Sequence, residues 1–212
     1  MLLVSTTTAL ASGSAMFGVT GAITPPACNV TLTGGVVDHG VLSTVAVRSG
    51  ALAYGLAFQL PATSVPFNIT CAAATRVEVA FVDNLAGRII AIDGDDAVRF
   101  GLVDGAGSTA IGSCQATFTS ATIDGMAVGQ FLNAPTGTTA WNARSSPSLG
   151  AAYISPGHTT GFARLAGATL PDSLTTLAGT LQFKFFLDKA YVESARSAIT
   201  PNGSGTLSLV YL

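Results

Sequence analysis

Short segments in which apolar and polar residues alternate recur along the chain, and they constrain its fold more than any other feature. Alternation is typical of a strand that buries one face. The clearest segments are 17–23, 28–34, 65–71, 76–83, 98–104, 180–187 and 206–212, with Gly, Pro, Asn and Asp between them. Strands of this length and spacing predict an all-β fold, either a sandwich or a barrel.

Side-chain direction can be predicted within these segments. The rows expected to face the core are Val77, Val79 and Phe81 in one segment and Leu181, Phe183, Phe185 and Leu187 in another. Arg76, Glu78 and Ala80 take the opposite face of the first segment. Residues 188–199 can form at most a short helix before Pro201. We expect the Pro-, Thr-, Ser- and Gly-rich stretch 133–178 to form long loops with edge strands between them.

Charged residues are rare. They make up 9% of the chain, against roughly 25% in an average soluble domain. The net charge of -2 gives no reason to expect a nucleic-acid partner. A surface so poor in charge favours either a membrane or a protein partner that covers much of it.

The first 37 residues carry no charged side chain. Within them, MLLVSTTTALASGSA has the apolar run and small-residue cleavage positions, after Ala11 and Ala15, that are typical of a secretory signal. We therefore interpret residues 1–15 as the remnant of such a signal and predict export. No window holds the roughly 20 uninterrupted apolar residues that a spanning helix needs.

An exported chain can form disulfides, and three cysteines are present. Cys28 shares a strand face with Val30 and Leu32, and Cys71 shares one with Phe67 and Ile69. Both thiols then point into an apolar layer, as a buried disulfide between strands requires. This favours the pair Cys28–Cys71. Cys114 is left either as a buried free thiol or as the partner in a different pairing.

No motif predicts catalysis, a cofactor or a metal. GAGSTA (105–110) lacks the following helix that a phosphate cradle needs, so it indicates a hairpin loop. DGDDAV (93–98) lacks the ligand spacing of an EF-hand and is interpreted as a solvated turn. His39 and His158 stand in no metal-ligand spacing, and no Gly-x-Ser-x-Gly elbow occurs. We predict that the protein is not an enzyme.

Both ends of the chain carry apolar strand patterns. Near the start, Phe17, Val19, Gly21 and Ile23 alternate on one face before Pro25 and Pro26 interrupt the pattern. At the other end, SGTLSLVYL places Leu207, Leu209 and Tyr211 on one face and Val210 and Leu212 on the other. Chain ends usually fray because nothing stabilises their ordered form. A strand that is apolar on both faces usually lies inside a sandwich, so we expect the last strand to have a neighbour on each side.

The opening GAITPPAC, the GGVVDHG that follows it, the second cysteine some forty residues on and the penultimate tyrosine together resemble a subunit of chaperone–usher fimbriae. Within that superfamily the chain is most similar to the fimbrial-type proteins grouped as DUF1120. The resemblance implies an immunoglobulin-like β-sandwich that lacks its last strand and is completed by a donated strand. It divides the chain into a donor extension, 16–27, and a pilin-like domain, 28–212.

The resemblance also implies roles and partners. Phe17, Val19 and Ile23 would be donor side chains, with Gly21 where two backbones approach closely. Cys28–Cys71 would be the family's disulfide. The strand carrying Leu207, Leu209, Tyr211 and Leu212 would be recognised by a periplasmic chaperone. Other implied partners are an outer-membrane usher, neighbouring subunits and a host or surface receptor, in a fimbria on the cell surface that contributes to adhesion.

Two other functions fit the sequence pattern. One is a small outer-membrane β-barrel, which also has alternating strands and an aromatic residue near its end. The other is a secreted carbohydrate-binding sandwich that works alone and would need an exposed aromatic platform. Trp141 and Tyr153 are its candidates, and packing beneath the long loop is the simpler role for both.

Overall fold

The fold follows from the alternating segments, most of which form strands. The structure is a computed structural model, and it describes residues 26–34, 37–92, 96–105, 107, 109–144 and 152–212. In these residues the strands are β1 Cys28–Leu32, β2 Leu52–Tyr54, β3 Ala57–Gln59, β4 Thr63–Asp83, β5 Arg99–Asp104, β6 Ala110–Ile123, β7 Met126–Ala127, β8 Gln130–Pro135, β9 Asn142–Arg144, β10 Ala152–Tyr153, β11 His158–Ala163, β12 Ser173–Asp188, β13 Pro201–Asn202 and β14 Gly205–Tyr211. The described helices are α1 Thr44–Gly50, α2 Lys189–Ser194 and a 3₁₀ turn at Asp96–Val98.

The strands form two antiparallel sheets that share β4. The first sheet runs β1, β4, β12, β6, β5 and β13, with β3 pairing the end of β12. The second runs β14, β4, β11, β8 and β9. The predicted all-β sandwich is confirmed.

Strand β4 reaches both sheets because it turns back on itself. Phe67 in its first half and Phe81 in its second half both contact Phe118 of β6, at ring-centroid distances of 5.3 and 6.0 Å. A straight strand would hold two residues fourteen positions apart at about 46 Å. The turn lies near the exposed alanines 72–74, where the register with β12 shifts. The two halves of β4 therefore run in opposite directions on facing sheets.

The core lies between these sheets and centres on Phe118. Its ring also contacts Phe131 of β8 and Phe162 of β11, at 6.1 and 5.2 Å. Val77, Val79 and Phe81 are buried in this layer, as predicted. Glu78 and Ala80, on the opposite face of the strand, are buried too, so the middle of this part of β4 is covered on both faces.

The sandwich has two distinct ends. The β1 end holds the start of β1, the end of β14 and the tight turn between β6 and β7. The helix end holds α1, α2, the β2–β3 hairpin and the start of β14. Helix α2 is the short helix expected within 188–199, and Asp188 caps it by accepting a hydrogen bond from the Tyr191 N–H at 2.7 Å.

One prediction is wrong for part of the stretch 133–178. Strand β11 is no loop or edge strand, because it lies between β4 and β8. Its residues Thr159, Phe162 and Ala163 are almost fully buried. Its sequence, HTTGFA, resembles a loop partly because it contains Gly161. That residue must be a glycine here, since a Cβ would meet the Pro171 side chain at 2.4 Å. Strand β9, by contrast, is an edge strand as expected.

Candidate functional site

The last strand, β14, leaves one edge open. It pairs with the second half of β4 from Gly205 opposite Asp83 to Tyr211 opposite Val77, and no strand in the described parts of the chain pairs with its other edge. The Leu212 N–H donates to the Arg76 carbonyl at 3.1 Å. Since hydrogen bonds to one neighbour alternate along an antiparallel strand, the N–H and C=O groups of Leu207, Leu209 and Tyr211 point towards the open edge.

Side chains next to this edge face the core but are incompletely covered. Leu207 and Leu209 stand opposite Phe81 and Val79, which are buried. The two leucines are only half-buried. Leu32 of β1 shows the same effect on the other sheet, since it stands opposite buried Phe67 and is itself 40% exposed. The core is therefore uncovered between β14 and β1.

A groove of about 540 Å³ follows this uncovered line at the helix end. One wall is the start of β14 with the residues before it, 200–205, and the other wall is formed by Leu32 and residues 37–39. The floor consists of core side chains from both sheets: Phe81, Phe100, Cys114, Ala116, Leu181, Phe183 and Phe185. Such a floor can bind apolar side chains that enter from outside the domain.

His39 forms part of the second wall. Its ring meets the Phe185 ring edge-on, at a centroid distance of 4.6 Å. Burial lowers the pKa of His39, and the neighbouring Asp38 carboxylate opposes this in part. After His39 the backbone turns, with Gly40 at φ +62° and its N–H donating to Asp38 Oδ1 at 2.6 Å. His39 therefore packs as a largely apolar wall of the groove.

At the β1 end, the first described strand meets the end of the last one. Cys28 and Cys71 stand directly opposite each other and are bonded as a disulfide. The Cys28 N–H donates to the Tyr211 hydroxyl oxygen at 2.9 Å. The Leu212 side chain is exposed. The Tyr211 side chain thus fixes the end of β14 beside the start of β1, while the backbone groups on the outer edge of β14 stay unpaired among the described residues.

Cys114 is a free thiol in the groove floor. Burial, with a smaller contribution from Asp83, raises its pKa to about 12. A thiol with this pKa is protonated at neutral pH and unreactive. Of the two roles left open for Cys114, the structure shows the buried free thiol.

The predicted donor residues Phe17, Val19, Gly21 and Ile23 lie outside the described residues, as do the signal remnant 1–15 and part of the turn at 93–98. The GAGSTA loop lies between β5 and β6, whose antiparallel pairing confirms the hairpin. Trp141 is half-buried and packs against Gly161 of β11.

The described residues contain no group of three or more His, Cys, Asp or Glu side chains that could hold a metal ion. The longest helix among them, α1, has seven residues, so no described helix could cross a membrane.

Sequence reasoning placed Phe81, Leu181, Phe183 and Phe185 in the core but missed the rest of the groove floor. Phe100 and Cys114 come from β5 and β6, which pair with each other, and β6 had no recognisable strand pattern. Residues 37–39 of the wall lie outside the alternating segments. The one usable signal was the inward row of Phe183 and Phe185 on β12, of which Phe183 is only half-buried in the groove floor.

These features define a class of protein: an all-β sandwich whose core is open to solvent along the free edge of its terminal strand. The chain belongs to the DUF1120 family, described as a protein of unknown function, whose model matches residues 17–131, more than half of the chain. No curated protein matches the sequence.

Proposed function

We propose that this protein is a structural subunit of a bacterial surface fimbria and that it assembles by donor-strand exchange. The observation that carries the proposal is the groove beside β14, with core side chains as its floor and unpaired backbone groups along its wall. An extended segment from another chain would bind there as an added strand. Its backbone would pair with Leu207, Leu209 and Tyr211, while its alternate side chains entered the groove.

The donated strand is the segment 16–27 of another subunit. Its side chains Phe17, Val19 and Ile23 alternate as the groove requires, and the family match begins at residue 17. An antiparallel strand pairs somewhat more stably than a parallel one, so the donor runs opposite to β14. The family resemblance supports the same assignment.

A subunit cannot supply this antiparallel strand to its own groove. Strand β1 starts at the β1 end, so a strand preceding Cys28 and lying in the same subunit's groove would run towards that end. That is the direction of β14, and the pairing would be parallel. A neighbouring copy has no such restriction, which favours a polymer.

Before assembly, an exposed apolar groove is an aggregation hazard. The proposal therefore includes export to the periplasm, where a chaperone covers the groove, and transfer to an outer-membrane usher. The terminal strand with Tyr211 and Leu212 would be the part that the chaperone binds. Assembled fibres would lie on the cell surface and contribute to adhesion through a receptor of unspecified chemistry. A subunit covered by its neighbours needs few charged residues.

The first test is co-expression of the full chain with a candidate periplasmic chaperone. We expect a soluble one-to-one complex on gel filtration, and its loss when the chain stops before Tyr211. Deletion of residues 16–24 should leave the chaperone complex intact and abolish polymers, because the groove remains and the donor is absent. A full chain that is monomeric and stable without a chaperone would contradict the proposal and favour the sandwich that works alone.

A further inference from the structure

Large exposed apolar side chains gather at both ends of the sandwich. At the helix end, Val41, Val45, Leu52 and Leu56 are 66–73% exposed; we call them the helix-end patch. At the β1 end, Met126, Leu165 and Leu170 are 54–76% exposed; we call them the β1-end patch. Scattered exposed apolar residues need no explanation, but clusters indicate an interaction surface.

The helix-end patch is held in place by the fold. Val47 of α1 is buried, and the Arg48 guanidinium donates to the Val192 carbonyl of α2 at 3.0 Å. Leu56 lies in the β2–β3 turn, where the Lys189 ammonium donates to the Gly55 carbonyl at 2.7 Å. These contacts fix α1 and the hairpin beside α2, so Val45 and Leu56 are presented on a supported surface.

The β1-end patch is also supported. Met126 follows the turn at Asp124, whose carboxylate accepts hydrogen bonds from the backbone N–H groups of Thr175 and Thr176 at 3.0 and 2.8 Å. The Arg164 guanidinium forms a salt bridge with Asp124. The Arg164 backbone N–H donates to Asp172 Oδ2 at 2.8 Å. This network fixes both ends of the loop that carries Leu165 and Leu170.

The direction of strand exchange brings these two patches together. A donor antiparallel to β14 starts near the β1 end of the acceptor and leaves the groove near Gly205, at the helix end. Only five steps along the chain separate donor residue Ile23 from Cys28 of the donor's own domain, a reach of about 18 Å at most. Pro25 and Pro26 within this connection limit its bending. The β1 end of the donor subunit therefore faces the helix end of the acceptor across this short connection.

We infer that the β1-end patch of one copy packs on the helix-end patch of the next, forming a second subunit interface beside the donated strand. The inference rests on the proposed function, because the order of strand exchange sets which ends meet. The two patches are different surfaces, so the contact is head-to-tail and repeats along a filament. This contact would make the filament stiffer than one in which only the donated strand and a flexible connection join neighbouring subunits.

Cysteine cross-linking of the assembled full-length polymer tests this interface. The chain carries Leu56→Cys in the helix-end patch and Leu165→Cys in the β1-end patch, and is treated with a short bismaleimide. Asn68→Cys with Leu165→Cys is the matched control, because Asn68 is exposed midway along the first half of β4, away from both ends of the sandwich. Cys114, buried and with a pKa of about 12, should not interfere.

We expect an undisrupted polymer ladder on unheated gels and, after heating, a shift from single subunits to covalently linked pairs that the control lacks. A normal ladder without linked pairs, or equal linking in the control, would overturn the interface while leaving strand exchange intact. Absence of the ladder from the unmodified chain would instead overturn the proposed function and this interface with it.

Discussion

The backbone N–H of Cys28 donates a hydrogen bond to the Tyr211 hydroxyl oxygen at 2.9 Å, across a sequence separation of 183 residues. This contact joins the first described strand to the last one, on opposite sheets of the sandwich. It lies beside the Cys28–Cys71 disulfide. The end of β14 is therefore fixed at the β1 end, although its outer edge has no neighbouring strand in the described residues.

Tyr211→Phe removes the acceptor of this hydrogen bond and keeps the ring. We expect the free energy of unfolding of the full chain to fall by about 1 kcal/mol, the usual net contribution of one hydrogen bond, in urea titrations. Tyr153→Phe is the matched control, since the Tyr153 hydroxyl has no hydrogen bond with a described residue. Equal losses in the two variants would show that the Tyr211 contact does not stabilise the fold.

The disulfide should contribute more than any single hydrogen bond. It closes a loop with a sequence separation of 43 residues, and cross-linking a loop of this size removes about 4 kcal/mol of unfolded-chain entropy. We expect Cys28→Ser with Cys71→Ser to lower the free energy of unfolding by about that amount. Cys114→Ala leaves the disulfide intact and serves as the control. A double variant as stable as the parent would contradict the prediction.

Asp124 should make stability depend on acid pH. Its hydrogen bonds from Thr175 and Thr176 hold the pKa of the carboxyl far below its ordinary value. The ionised Asp124 carboxylate therefore stabilises the folded chain at any pH above the unfolded-state pKa near 3.8. This contribution to the free energy of unfolding is lost as the pH falls below that value towards the folded-state pKa. We expect Asp124→Asn to destabilise the chain at pH 7 and to differ less from the parent at pH 2. Unfolding titrations at both values measure this, and an equal deficit would contradict it.

Cys114 should reduce stability at alkaline pH. Its pKa is about 12 in the folded chain, against an ordinary value of 9.0. Between these values the unfolded chain loses a proton that the folded chain keeps, so stability falls as the pH rises, by about 1.4 kcal/mol per pH unit. We expect Cys114→Ala to flatten this fall between pH 9 and 11. An unchanged slope would show that the thiol is ionised in the folded chain.

Alternation predicted the all-β class, the inward rows on β4 and β12 and the strand character of the chain end, because those side chains follow one buried face. It failed for β6, whose Gly112 lies so close to β12 that an added Cβ would be 1.9 Å from the Phe186 carbonyl oxygen. Close packing there requires small residues, and small residues resemble a loop. The groove could not be predicted, because it depends on the turn in β4, which brings Phe81 to the side chains of β5 and β12.

The most direct test of strand acceptance is residue-resolved amide hydrogen exchange of the variant that lacks residues 16–24, with and without a peptide of residues 16–27. The full chain is unsuitable because it carries its own copy of this segment. We expect the peptide to protect the amides of Leu207, Leu209 and Tyr211, which point towards the open edge. The amides of Thr206, Ser208 and Val210, which face β4, should change little. If the amides of Leu207, Leu209 and Tyr211 exchange at the same rate in both conditions, β14 accepts no strand from this segment. That result would contradict assembly by donor-strand exchange.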